Sequence, residues 1–317
     1  MDKIQAAIAK ARATRNAGAP ADVTPPPGAP IDAAPPRLAP VPPQVVPVPE
    51  PTLPPQAETP PPPPAGQADS PAVDRAKVWK PLATFAPLAK QMARQRVVTF
   101  ATKGTAAPGA VAFDMLRTKV LQQMRANGWK RLAITSPGAD CGKSTTTLNL
   151  AFSLAKQTDV HTIVAEMDMR RPSLARNLGP KGQTSISAVL EGKADFASVA
   201  TRPRPNLAFA VNYTRARNPA ELLQSPTIGP ALAKIEAEYA PDITIFDMPP
   251  MLVSDDTMAF MGQVDCVLLI AAAGTTSLRE IDICERDLAT QTNVLGVVLN
   301  KCRYMEKDYG YGYGAYT

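Results

Sequence analysis

The chain has 317 residues, with 34 Lys+Arg against 28 Asp+Glu for a formal net charge of +6. Of its 35 prolines, 21 fall within residues 20–71, a stretch that cannot run helical or ladder hydrogen bonds and reads as a linker. The charge divides unevenly too: 12 basic and 7 acidic side chains in residues 1–103 leave 22 and 21 for residues 104–317, so the foldable part lacks the clustered cations of a nucleic-acid groove.

No apolar run approaches the ~18–20 residues that cross a bilayer. The longest is Cys266–Ala273, and Met1–Arg15 has no signal-peptide apolar region, so a cytosolic chain without a membrane span is expected. Cys141, Cys266, Cys284 and Cys302 share no ligand spacing, and His161 is the only histidine, which leaves no material for a zinc site and favours reduced thiols.

In chain order, residues 1–19 open with Ile4, Ala7, Ile8 and Ala11 at helical spacing among Lys and Arg, the pattern of a short amphipathic helix. A docking helix and a frayed terminus both fit it. Residues 20–74 are expected to form a proline-rich, disordered arm. Residues 75–103 form a basic connecting segment with seven cationic side chains, no acidic one, and Trp79, Leu82, Phe85 and Leu88 as anchors either for the domain or for lipid headgroups.

Residues 104–303 alternate helical and short apolar runs. A helix through Phe113, Leu116, Val120 and Met124 is expected to stop at Gly128. Strands are predicted at Leu132–Thr135, Thr162–Ala165, Leu207–Val211, Ile243–Phe246, Cys266–Ala272 and Leu295–Leu299. Helices are predicted at Thr145–Lys156, Leu222–Tyr239 and Leu278–Thr290. Strands this uniformly apolar are buried on both faces, which implies an α/β domain with a mainly parallel sheet between helices.

The first of these strands runs through Ser136-Pro137-Gly138-Ala139-Asp140-Cys141-Gly142-Lys143-Ser144-Thr145 into a helix. Loop amides and a helix N-terminus make an anion cradle over Gly138–Thr145, in which Lys143 neutralises nucleotide phosphates and Ser144 completes a Mg²⁺ shell. Pro137 stands where the G-x-x-x-x-G-K-[ST] template has its first glycine, and Asp140 puts a negative charge near the phosphates. A second strand ends in Asp247, placed to hold Mg²⁺, and stops at Pro249-Pro250. A third ends in Glu166-Met167-Asp168-Met169-Arg170-Arg171. Alternation places Glu166 and Asp168 on one side, where carboxylates complete a metal shell and accept a proton. The competing reading pairs these acids with Arg170 and Arg171.

Together, Ser136–Thr145, Glu166–Pro172, Asp247–Pro250, Asn218–Leu223, Ser254-Asp255, Gly296–Lys301 and the C-terminal tyrosines resemble the bacterial tyrosine kinases, autokinases of exopolysaccharide and capsule systems, over about Val97–Thr317. The resemblance implies a P-loop NTPase fold and a tyrosine kinase that uses ATP and Mg²⁺. Lys143 would clamp phosphates, Ser144, Asp168 and Asp247 would organise the metal, and Asp168 would orient or deprotonate tyrosine. Glu166 and Arg170 fall in the D-x-D-x-R motif, with Glu166 replacing the first Asp. The family's ring motif E-x-x-R-x-x-R falls on Val111, Asp114 and Arg117, of which only Arg117 matches.

The resemblance also implies a membrane-bound polysaccharide co-polymerase as activator, a tyrosine phosphatase, and self-association in trans at the inner face of the membrane. The tail, residues 304–317, holds Tyr304, Tyr309, Tyr311, Tyr313 and Tyr316, five of the chain's seven tyrosines, spaced by glycines. These are the expected phosphoacceptors. Each phosphate adds about −1.5 to −2 charge, so a multiply modified tail is expected to repel other tails and the nucleotide site. Two alternatives stand: a partition or septum-type ATPase switch, whose signature lysine is replaced here by Gly138, and a degenerate interaction protein.

Overall fold

The computed structural model describes residues 73–100 and 109–302. The expected helix over 1–19, nearly all of the proline-rich stretch and the tyrosine tail lie outside the described residues. Eight strands form one sheet: β1 (Ala83–Thr84), β2 (Arg131–Thr135), β3 (Thr162–Glu166), β4 (Ala200–Arg204), β5 (Leu207–Ala210), β6 (Ile243–Asp247), β7 (Cys266–Ala272) and β8 (Asn293–Asn300). Their order is β1-β4-β5-β3-β6-β2-β7-β8, with every neighbouring pair parallel except antiparallel β4–β5.

Alternation along the central strands divides two cores. Ala133, Ile163, Ala165, Phe246 and Leu269 face one, while Leu132, Ile134, Val164, Ile245 and Leu268 face the other. All are buried, as double-sided cover by helices requires.

The longer helices follow the predicted pattern. Helix α3 (Ala110–Asn127) ends where Gly128 takes the left-handed conformation at φ 68°. Helix α4 (Lys143–Leu154) begins two residues earlier than predicted, at Lys143 itself, and helix α11 (Leu278–Ala289) opens on a Ser277/Glu280 capping box. The single helix expected over Leu222–Tyr239 is two, α8 (Pro219–Leu223) and α9 (Ile228–Tyr239). Pro226 disfavours helical geometry at Ser225 and supplies no donor. Four further short helices are α5 (Leu174–Leu178), α6 (Ile186–Leu190), α7 (Phe196–Val199) and α10 (Asp256–Phe260).

Between the two placements open for residues 75–103, the domain prevails through Phe100 for Trp79, Leu82 and Phe85, while Leu88 stays exposed, so the packed unit begins well before residue 104. Helix α1 (Arg75–Trp79) places Trp79, 1% exposed, against the domain, with Nε1 donating to the Tyr239 carbonyl at 2.8 Å. Arg75 makes two 3.0 Å bonds to Asp242. Strand β1 then joins the sheet edge beside β4, and helix α2 (Ala89–Arg94) buries Met92 and reaches α5 through Gln91, which donates to the Arg176 carbonyl. Thr99 closes the segment on Asn149 of α4.

Candidate active site

Because β2, β3 and β6 are parallel neighbours, their carboxyl ends meet at one edge, with Ile134 and Glu166 both in register with Asp247. The loop after β2 is lashed to the loop after β6: Met251 N–H donates to the Ser136 carbonyl and Leu252 N–H to that of Pro137. Two residues in the phosphate loop adopt left-handed backbone, Asp140 at φ 59° and Gly142 at φ 92°. A Cβ on Gly142 would fall on the Asn300 side chain, whose Nδ2 donates to the Cys141 carbonyl at 2.9 Å. The end of β8 thus holds the loop in place.

Lys143 Nζ bonds Asp168 Oδ2 at 2.8 Å. Burial alone would push the ammonium pKa down, but Asp247, Asp168 and Glu166 together hold it above its ordinary value. Asp168 Oδ1 also accepts from the Arg171 N–H. Asp247 is fully buried; Oδ1 accepts from Thr147 Oγ1 at 3.2 Å and Oδ2 has no partner. Burial raises its pKa, against the opposing pull of Lys143 and the Ser144 hydroxyl. A buried carboxylate oxygen with no donor, beside a hydroxyl at a helix N-terminus, fits a hard cation. The structure therefore gathers Lys143, Ser144, Asp168 and Asp247 into one site.

Above them opens a cavity of ≈ 580 Å³ lined by Ala139, Asp140, Gly142, Lys143, Ser144, Thr145, Asp168, Arg170 and the prolines after β6. Gly138, also expected in the cradle, lies in the same loop and its carbonyl accepts from Ser136 Oγ. Cys141 is buried, with Sγ 3.5 Å from Thr276 Oγ1.

One expectation needs correction: Glu166 does not line the cavity. Its Oε1 accepts from Ser173 N–H (2.6 Å) and Leu174 N–H (2.8 Å), its Oε2 from Asn212 N–H (2.8 Å), and it shares no partner with Asp168. The strand ends at Glu166, and Met167 and Asp168 both turn their N–H groups to the Asp247 carbonyl, so side-chain alternation no longer relates the two acids. Burial pushes the Glu166 carboxyl up to about 7, although three amide donors favour its charged form. Arg170 does line the cavity, and two of its guanidinium nitrogens bond the wholly buried Asp256 at 2.7 and 2.8 Å, which fixes where the side chain stands.

Sequence reasoning missed Thr147, Asn212, Asp256 and the arginines Arg94, Arg96 and Arg176 at the cavity mouth. Asp256 sits one residue past the Ser254-Asp255 pair that drew attention, and Asn300 lies inside the Gly296–Lys301 run. On α3, Asp114 accepts from Ser153, Lys156 and Arg117, while Arg117 also reaches the Ser153 carbonyl. That cluster ties α3 to α4 within the chain, and Val111 is exposed.

A mainly parallel sheet between helices, with a Gly-Lys-Ser loop running from β2 into α4, is the P-loop NTPase fold. No protein-family model matches the chain. It is 28% identical over 213 residues to the putative tyrosine-protein kinase EpsB of Ralstonia nicotianae, covering 66% of this chain and 28% of that protein. It is 27% identical over 191 residues to the tyrosine-protein kinase CpsD of Streptococcus pneumoniae, covering 59% of this chain and 83% of CpsD. The kinase domain of the Escherichia coli tyrosine kinase ETK superposes with a TM-score of 0.59 at 25% identity, over 73% of this chain and 94% of that one. The VpsO kinase domain shares the fold, with a TM-score of 0.56 at 24% identity over 67% of this chain and 98% of that one. The chain is thus a relative of the bacterial tyrosine kinases in sequence and in fold, and it spans about 28% of the length of the EpsB proteins it matches. Among the described residues, no helix is long and apolar enough to cross a membrane.

Proposed function

We propose that the chain is an ATP-dependent protein-tyrosine kinase whose principal acceptors are Tyr304, Tyr309, Tyr311, Tyr313 and Tyr316 of a second copy of itself. The convergence of Lys143, Asp168 and the unpartnered Asp247 Oδ2 beneath one cavity is the observation that carries this reading. Amides of the Gly138–Thr145 loop and the α4 N-terminus would hold the phosphates. Lys143, which bonds Asp168, would turn to the phosphate oxygens and release Asp168 to the incoming tyrosine. Ser144, Asp247 and Asp168 would hold Mg²⁺, whose charge would offset that developing on the phosphates. The tyrosine oxygen bonds to the γ-phosphorus, the bond to the β,γ-bridging oxygen breaks, the phenolic proton passes to Asp168, and ADP leaves.

Glu166, held by three backbone amides, shapes the turn that presents Asp168 instead of joining the chemistry. By its resemblance to the exopolysaccharide autokinases, the chain would act in control of polysaccharide polymerisation and export. A membrane-bound co-polymerase would then activate it at the inner face of the membrane, and a phosphatase would reset it. The deciding experiment is intact mass after incubation with Mg-ATP. Steps of one phosphate on the tail peptide, abolished by Lys143→Ala, support transfer. ATP hydrolysis with an unmodified tail would instead indicate a nucleotide switch, and no ATP binding an interaction protein.

A further inference from the structure

The cavity mouth carries more positive charge than a nucleotide site of this kind accounts for. Arg94 and Arg96 reach it from the segment before the domain, Arg171 and Arg176 from the turn after β3, and Lys301 from the end of β8. Among the described residues none of these five side chains meets a carboxylate, whereas the two inner cations, Lys143 and Arg170, are matched by Asp168 and Asp256. Asp140 is the remaining acid of the lining. A magnesium nucleotide would take up part of the surplus and leave the rest at the mouth.

The backbone singles out the same place. Among the described residues four non-glycine residues adopt left-handed φ, and three of them line this cavity: Arg96 at 56°, Asp140 at 59° and Lys301 at 60°. Side chains with a β-carbon resist that conformation, and it persists where the surroundings fix it, often at ligand clamps. Lys301 also marks where the C-terminal segment departs. Residues 303–317 begin two positions later, and their Arg303 and Lys307 balance Glu306 and Asp308, so the unmodified segment is neutral. Tyr316 is 15 residues past Lys301, a reach of up to roughly 50 Å, ample to fold back over the mouth.

We infer that this collar of Arg94, Arg96, Arg171, Arg176 and Lys301 is a docking site for the chain's own C-terminal segment once it carries phosphotyrosine. The inference rests on the proposed tyrosine transfer. It reverses the expectation of repulsion: each phosphotyrosine brings about −1.5 to −2 charge and three acceptor oxygens, which arginine forks bind in bidentate fashion.

The test uses the full chain with Mg-ADP and a labelled synthetic peptide of residues 303–317, phosphorylated at Tyr311 and Tyr313 or unmodified. The phosphopeptide should bind at least about tenfold more tightly than the unmodified peptide, with an advantage that shrinks as salt rises. Arg94→Gln combined with Arg96→Gln should weaken the phosphopeptide about tenfold and Mg-ADP far less. Arg171→Gln gives a second, independent variant, and bound Mg-ADP reports that each variant is folded. Equal affinity for the two peptides, or phosphopeptide binding unchanged in both variants, overturns the inference. Because the peptide is supplied already phosphorylated, this failure is separate from failure of the transfer reading, which intact mass decides.

Discussion

Gly142→Ala should destabilise the chain in two separable ways. A β-carbon at φ 92° carries a left-handed penalty of about 1–2 kcal/mol. The same atom would fall on the Asn300 amide and displace it from the Cys141 carbonyl, costing about 0.5–1.5 kcal/mol for the hydrogen bond. The total is about 1.5–3.5 kcal/mol in the nucleotide-free protein. In an Asn300→Ala background the second contribution is already gone, so Gly142→Ala should then cost about 1 kcal/mol less. Urea unfolding of the four proteins, with unchanged m values, reads this coupling directly. Additivity within about 0.3 kcal/mol would show that the end of β8 does not brace the phosphate loop.

Trp79→Ala should lower stability by about 3–5 kcal/mol through the lost packing and the lost bond to Tyr239. A cost below about 1 kcal/mol would mean that the segment before the domain is not part of its core. Asp247→Asn removes a buried charge with an unpartnered oxygen. It should stabilise the nucleotide-free protein by about 1–3 kcal/mol while abolishing Mg²⁺-dependent nucleotide binding, and a fall in unfolding midpoint would refute the account. Glu166, with its pKa raised from 4.5 to about 7, binds a proton more tightly folded than unfolded. Its contribution should therefore be complete below about pH 4.5 and decline by about 3 kcal/mol as pH rises to about 7, then level off. Glu166→Gln should flatten that slope in urea midpoints taken across the range; an unchanged slope would place the titration elsewhere.

The central sheet was legible because runs such as Cys266–Ala272 and Ile243–Asp247 are apolar throughout and bounded by breakers. Strand β4 was not: Ala200–Arg204 contains Pro203 and two arginines, and it becomes a strand by pairing antiparallel with β5 at a shifted register and parallel with the two-residue β1. In the site, Lys143 and Asp247 could be read because each sits at a strand end or helix start with a recognisable neighbour. Glu166 misled because alternation holds only while the strand continues, and the backbone turns away immediately after it. The partner of Arg170 was hidden for another reason, since Asp256 lies 86 residues further on and only the fold brings them together.

The segment from Arg75 to Phe100 spans the sheet from end to end. Arg75 grips Asp242 at the amino ends of the strands, and Arg94 and Arg96 stand over the carboxyl ends. The contacts that fix the near end of this segment to the domain therefore also set the height of two guanidinium groups above the entrance, and a substitution at Trp79 is felt at both ends of the sheet.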